Sequence, residues 1–382
     1  MTSNPCIHWL GAGLSSGPGI AALARRRGNV VLWNRTGEKA RALVQTIGAD
    51  EGLSVETLDF ERLADRVAAG DVVVSMLPGA FHVRVAKLAI AADAHMVTTS
   101  YLNPEMMALD GEARAKGLVV LNEVGVDPGI DHLFAQVLVD AARTAGQLAG
   151  GHAVSFQSHC GGVPAVANDF RYKFSWAPLG VLTALRNPAR SIRDGVELRT
   201  EKAWTGVEDI DVLGETFEVY PNRDSLGYVA EYGLADVADL QLFVRGTLRL
   251  PGWKAAWADI FAAVEGGTDA SLAALSERLW RDYSYAPGEQ DRVVLYVSLE
   301  SRDAAGGSWK ASLSLDETGT GWQTAMARTV SLTAQVAIGA VLDGRLKPGV
   351  QAATRDPQEA KRWLAQLVDD GINIDAENVS LQ

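Results

Sequence analysis

The chain has 382 residues, which at roughly 150 residues per domain predicts two domains and leaves ample length to bury a core. Its 35 Lys and Arg stand against 47 Asp and Glu, a net charge of −12. The surface as a whole therefore repels polyanions, which argues against a nucleic-acid or anionic-membrane partner and requires any anionic ligand to find a local cluster of arginines. Two cysteines, Cys6 and Cys160, exclude a disulfide framework and a Cys-only zinc site, and fit a reducing, cytoplasmic compartment. No signal peptide is visible, and the weakly polar stretch 330–342 is interrupted by Ser331, Thr333 and Gln335 and falls short of the ~18 apolar residues of a membrane span.

From the start to residue 130, short apolar runs at 6–10, 30–33, 55–57, 72–75, 95–98 and 119–121 alternate with amphipathic stretches. This rhythm predicts an α/β fold, a Rossmann-type doubly wound parallel sheet, as the first domain. After Pro128-Gly129 the pattern changes, and residues 131–350 are expected to form an α+β domain for substrate and dimerisation. It opens with a helix at 131–145, capped by Asp131. Strands at 153–156, 196–199, 240–248, 293–300 and 309–313 mix with helices at 253–264, 270–279 and 325–342. Residues 351–382 form a C-terminal helix, at 357–367, and a tail, expected to pack back on the first domain. A homodimer through a free strand edge of the second domain's sheet is the expected assembly.

Gly11-Ala12-Gly13-Leu14-Ser15-Ser16-Gly17 follows the first strand and precedes a helix expected to open near Ile20. In this GxGxxxG spacing Gly11 permits the tight turn, Gly13 lets the backbone approach a pyrophosphate, and Gly17 allows close packing of helix on strand. Leu14 and Ser15 belong to the same cofactor loop. The second strand ends in Asn34-Arg35-Thr36, without the acid that grips a ribose diol in NAD sites, and Arg35 can pair with a 2′-phosphate. NADP is the expected cofactor, with NAD the alternative. Three more loops follow strand ends on the same edge: Ser75-Met76-Leu77-Pro78, Thr98-Thr99-Ser100-Tyr101, and the run from Asn122 through Val124 and Asp127 to Gly129. Leu77 and Val124 are expected beside the cofactor, while the hydroxyls, the Tyr101 phenol and the Asp127 carboxylate approach the reaction centre.

Several of these segments occur together in a known pattern. Gly11-Ala12-Gly13, Ser75-Met76-Leu77-Pro78 with Phe81-His82, Thr98 to Tyr101, Leu121 to His132, Cys160-Gly161-Gly162-Val163-Pro164 and Tyr172 to Trp176 make the chain resemble the saccharopine dehydrogenase family, more closely its glutamate-forming branch. The resemblance continues through Tyr220 to Ser225, Arg245 to Arg249 and Thr324 to Thr329, nearly the whole chain. It implies an oxidoreductase of lysine metabolism that interconverts saccharopine with L-glutamate and 2-aminoadipate 6-semialdehyde using NADP(H). Positions matching the family's substrate contacts are Ser100, Tyr101, Asp127, Lys173, Arg223, Thr247, Leu248 and Arg249. Three substrate carboxylates call for concentrated cationic donors, which Arg223, Arg249 and Lys173 supply.

Asp127, Tyr101 and Cys160 are the candidates for proton transfer, and of these side-chain types only the carboxylate is ionised at neutral pH without help. Orientation is the expected task of Asp127, since the substrate amine carries its own titratable proton. Cys160 also fits a small buried hydrophobe. His152, His159 and Cys160 match no zinc spacing, so no metal is expected. Two other readings remain at this stage: an imine reductase like the carboxynorspermidine dehydrogenases, whose cation-rich amine needs no pair of arginines, and a dinucleotide-binding sensor that has kept the fold without the reaction.

Overall fold

A computed structural model describes residues 4–49 and 51–381. In chain order its elements are β1 Ile7–Leu10, α1 Gly17–Arg26, β2 Val30–Asn34, α2 Gly37–Ile47, β3 Leu53–Thr57, α3 Phe60–Arg66, β4 Val72–Ser75, α4 His82–Ala91, β5 His95–Thr98, α5 Pro104–Met107, α6 Asp110–Ala115, β6 Val119–Leu121 and α7 Ile130–Thr144. There follow β7 His152–Pro164, α8 Pro178–Arg186, β8 Ala189–Arg193, β9 Val196–Thr200, β10 Glu208–Val212, β11 Glu215–Pro221, α9 Gly227–Glu231, β12 Leu240–Arg249, α10 Trp253–Ala256, α11 Ala258–Gly266 and α12 Asp269–Tyr283. The chain closes with β13 Asp291–Asp303, β14 Ser308–Gly319, α13 Ala325–Leu342, β15 Gly349–Gln351, α14 Pro357–Asp369 and β16 Asp375–Glu377.

The chain divides into two compact units. The first comprises residues through Leu133, Ala327–Thr354 and Arg362–Gly371; the second comprises Phe134–Met326, Arg355–Lys361 and the residues from Ile372 on. The break expected at residue 130 thus falls inside α7, and the second domain does not run unbroken to 350. Most of α13 and all of β15 belong to the first unit, where β15 pairs with β6 and extends the sheet.

The first unit holds a seven-stranded sheet in the order β15-β6-β5-β4-β1-β2-β3, parallel at every link. The six expected strands give the doubly wound order, and the order of winding reverses between β1 and β4, where ligands of such sheets bind. β1, β4 and β6 are buried at every residue, which is why each reads as an apolar run without alternation. Val85, Ala89 and Ile90 of α4, with Met106 and Ala113, pack on Trp33, Val73, Met96 and Val120. α13 is long and apolar enough to cross a membrane by composition, but 72% of it is buried inside the protein. Beneath the sheet Asp71 accepts from Cys6 N at 2.7 Å and Ala68 N at 2.8 Å, and lies 3.1 Å from His8 Nε2. The Trp33 indole donates to His8 Nδ1 at 3.2 Å, so Nε2 carries the proton that binds Asp71.

The second unit is a mixed sheet in the order β10-β11-β12-β7-β13-β14-β16, with the β8–β9 hairpin joined to β12. Only the β12–β7 link is parallel. β7 extends past the expected 153–156 through the Gly161-Gly162 pair, and a Cβ on Gly161 would stand 2.6 Å from the Leu248 carbonyl oxygen: the glycine permits close strand packing. The helix expected over 253–264 is two, parted at Trp257, whose backbone at φ −99° and ψ 11° leaves the helical region. The Trp257 indole donates to the Phe170 carbonyl at 3.0 Å, within an aromatic core of Tyr172, Phe174, Trp253 and Phe261. α8, β8, β10, β11 and α9 were not legible as separate elements in the sequence.

Candidate active site

In the first unit Gly11 adopts φ +110° and its N–H donates to the Trp33 carbonyl at 2.8 Å, while its own carbonyl accepts from Ser16 Oγ and Trp9 Nε1, both at 3.1 Å. The turn is thereby fixed from both sides. Gly13 is exposed, and no atom lies within 4 Å of where a Cβ would stand, so a ligand can approach its backbone. Leu14 is exposed and Ser15 half-buried in the same loop. α1 opens at Gly17 rather than near Ile20. Gly19, in the first turn of this helix, makes a close approach to α13: its added Cβ would stand 2.3 Å from the Ser331 carbonyl oxygen. Asn34 ties the glycine loop to the end of β2, accepting from Ala12 N at 3.2 Å and donating to the Thr36 carbonyl at 2.8 Å. Arg35 is exposed and has no ion-pair partner among the described residues. Arg41, which the sequence reading passed over, brings its guanidinium within 3.6 Å of a Cβ built on Gly37, at the N-terminus of α2. A cation one turn into the helix after this strand was the available signal. Two cations flank the N-terminus of α2, whose first turn also carries the exposed Glu38, and the cations suit a phosphate.

The loops after β5 and β6 are laced together. Ser100 O accepts from Glu123 N at 3.1 Å, Leu102 N donates to Glu123 Oε1 at 2.8 Å, and Glu123 Oε2 lies 2.8 Å from His132 Nε2. This lacing holds Glu123 at φ +58° and brings Tyr101 and Asp127 together, both half-buried, with Tyr101 Oη donating to Asp127 Oδ1 at 3.0 Å. The Asp127–Pro128 peptide is cis. Asp131 is not the cap: α7 starts at Ile130, and the Asp131 carboxylate, one residue inside it, reaches back to accept the Gly129 N–H at 2.6 Å. Ser75 Oγ, at the end of β4, lies 2.9 Å from His82 Nδ1, and His82 Nε2 lies 2.7 Å from Ser100 Oγ. Burial pushes the His82 imidazole down to about 4, so it is neutral. Leu77 is half-buried, whereas Val124 is fully buried and offers a ligand no side-chain surface.

In the second unit Arg245, Thr247 and Arg249 alternate along β12 and so share one face of the sheet. Thr247 stands in register with Cys160 of β7 and Tyr220 of β11, which places all three side chains on that face. Arg249 is 5% exposed, over the rings of Tyr172, Tyr220 and Trp253 at 4.8 to 5.3 Å. Its Nη2 donates to Tyr220 Oη at 2.8 Å and its Nη1 to the Leu248 carbonyl at 2.9 Å, while Nε has no partner. Leu248 turns its side chain to the opposite face, into a cluster with Val163 and Phe217. Arg223 is exposed, just past β11, and the adjacent Asn222 N–H donates to the Arg245 carbonyl at 2.7 Å. Lys173 is paired with Glu289 at 2.6 Å rather than standing open. Arg245 was missed in the sequence, although its place four residues before Arg249 on a strand was the clue; it is 1% exposed, over the Tyr228 ring at 4.2 Å. Cys160 is buried in mid-strand. Among the described residues no group of three His, Cys, Asp or Glu is placed to hold a metal.

A doubly wound unit that opens on a glycine loop, followed by a mixed-sheet unit with buried arginines, defines a two-domain class of dinucleotide-binding fold. Residues 7–121 match the saccharopine dehydrogenase NADP binding domain and residues 125–372 the saccharopine dehydrogenase C-terminal domain, and the chain belongs to the saccharopine dehydrogenase family. It is 37% identical over 256 residues to the NADP(+), L-glutamate-forming saccharopine dehydrogenase of Schizosaccharomyces pombe, covering 65% of this chain and 55% of that protein. The protein of the same name from Saccharomyces cerevisiae is 38% identical over 251 residues, 64% of this chain and 54% of its own length. The chain thus spans about half the length of the curated relatives it matches. Among solved structures, apo histidine-tagged saccharopine dehydrogenase (L-Glu forming) from Saccharomyces cerevisiae superimposes with a TM-score of 0.80 at 28% identity, over 98% of this chain and 100% of that one.

Proposed function

We propose that this protein is an NADP-dependent oxidoreductase acting on the secondary amine of saccharopine, interconverting saccharopine and water with L-glutamate and 2-aminoadipate 6-semialdehyde. The observation that carries the reading is the Tyr101–Asp127 hydrogen bond in the loops after β5 and β6, within a chain of this family. Bound nicotinamide supplies hydride exchange at the carbon beside the substrate nitrogen. Asp127 holds the substrate ammonium and orients the water that opens the imine, and Tyr101 fixes the carboxylate's direction. Arg249 and Arg223 anchor substrate carboxylates, with Ser100 and Thr247 contributing hydroxyls. Lys173 contributes less, because Glu289 already balances its charge. Cys160 belongs to the wall of the substrate face.

NADP rather than NAD is supported by Arg35 and Arg41 at the N-terminus of α2 and by the commitment of Asn34 to the glycine loop. A reducing, cytoplasmic setting is supported by Cys6 and Cys160, which form no disulfide. A homodimer is supported by the edge strands β10 and β16, and sedimentation showing only monomer at micromolar protein would end that part of the reading. The test of the whole is to mix the protein with saccharopine and either NADP or NAD, follow reduced nicotinamide by absorbance, and identify the product by chromatography. Glutamate with an NADP preference is the expected result; no turnover with either cofactor would shift the assignment to another imine or to a sensor.

A further inference from the structure

Ser100 is one of the residues that the reading above sets against substrate. A half-buried serine on a loop would ordinarily sample all its rotamers. Here its hydroxyl is spoken for on the protein side. His82 opens α4 with its imidazole 3% exposed, and its two ring nitrogens reach Ser75 Oγ at 2.9 Å and Ser100 Oγ at 2.7 Å. Ser75 is fully buried on β4, which lies inside the sheet between β1 and β5. Its carbonyl also accepts from Thr98 Oγ1 at 2.9 Å, and Thr98 stands beside it in register at the end of β5. The Ser100 carbonyl is held from the other direction by Glu123 N.

A neutral imidazole has one N–H and one lone pair, so it can bridge two hydroxyls in either tautomer. A hydroxyl bonded to it retains at least two of its three hydrogen-bonding positions for a ligand. We propose that His82 is a positioning residue of the substrate site: it carries the rigidity of β4 across to Ser100 and holds that hydroxyl at the edge where β4 and β5 end. This assignment rests on the saccharopine reading and places His82 in contact with neither substrate nor cofactor.

Two amide substitutions separate the two ends of the bridge. In His82→Asn the amide takes the place of Nδ1 and keeps Ser75 but falls short of Ser100, whereas in His82→Gln it reaches the place of Nε2 and keeps Ser100. His82→Asn should lower kcat/KM for saccharopine about tenfold or more, with NADPH affinity by fluorescence changed less than about twofold. His82→Gln should recover most of that loss, and His82→Asn should add nothing in a Ser100→Ala background. Equal losses in both backgrounds, or a Gln variant as impaired as the Asn variant, would show that His82 merely fills space and would overturn the proposal. A second arm needs no substrate: in 15N-histidine spectra of Ser100→Ala, the Nε2 resonance of His82, assigned by its loss in either amide variant, should move. A resonance that stays in place would dismiss the bridge. If the unmodified protein does not turn over saccharopine, the substrate reading fails by itself, and this spectral arm still decides the bridge.

Discussion

The two sheets place their candidate chemistry in opposite ways. In the first unit every strand link is parallel and the central strands are buried on both faces, so Gly11, Arg35, Ser100, Tyr101 and Asp127 all sit in loops or turns beyond strand ends. In the second, three of the candidates lie along the strands themselves, Cys160 on β7 and Thr247 and Arg249 on β12, while Lys173 and Arg223 lie in loops. A parallel sheet enclosed by helices has no face to offer a ligand, and its chemistry moves to the carboxyl ends of the strands, where the strand order reverses. A mixed sheet alternates its side chains and can lend one face. One unit is therefore tuned by loop sequence and the other by strand parity.

Acid should strain both units in the same sense. His82 in the first and His159 in the second are each held near 4 by burial, with Arg193 adding to the effect at His159. The unfolded chain binds these protons from about pH 6.5 downward and the folded chain does not, so stability is complete above that value and falls as the pH drops towards 4. Each histidine accounts for up to about 3 kcal/mol of that loss. Urea unfolding at neutral and acidic pH should show the fall, and His159→Gln should reduce it; an unchanged acid slope in that variant would refute the assignment.

Replacing the face cation should produce the next largest effect. Arg249→Met keeps volume and removes the charge, and kcat/KM for saccharopine should drop about a hundredfold, or ~2.7 kcal/mol, at saturating NADP. A loss no larger than that of an exposed arginine such as Arg199 would remove β12 from the substrate site.

The glycines of the two units sharpen the contrast between packing and ligand approach. Gly161→Ala puts a Cβ 2.6 Å from the Leu248 carbonyl oxygen and should destabilise the protein by about 2 kcal/mol in chemical denaturation. Gly13→Ala meets nothing within 4 Å, so its stability should stay within about 0.5 kcal/mol of the parent while NADPH affinity falls. The reverse pattern would exchange their roles. Smallest is Arg35→Ser, which should cut the preference for NADPH over NADH about tenfold, or ~1.4 kcal/mol, with NADH affinity held. Arg41→Ser should act in the same direction, and equal loss for both cofactors in either variant would remove the 2′-phosphate site from α2.

Much of the first unit was legible because parallel strands announce themselves locally: apolar runs, a glycine loop and a strand end without an acid are each contained in a few residues. What escaped was what arrives from far along the chain. β15 joins the sheet beside β6 from more than 200 residues later, and no short pattern marks a three-residue strand. In the second unit, the partner that occupies Lys173 is Glu289, 116 residues away, so a basic residue read as an open cation proved already paired. The two-part helix at Trp257 escaped for a related reason: its periodicity is helical, and it is the packing of its indole that decides the break.

By itself the sequence determined the doubly wound first sheet, the dinucleotide loop and the family pattern, because these depend on alternation, glycine geometry and residue identity at short spacing. Tertiary structure alone decided that most of α13 and all of β15 belong to the first unit, that Gly19 packs closely on α13, and that Ser100 is hydrogen-bonded through His82. Those outcomes depend on which surfaces are buried against each other, and burial is a property of the folded whole.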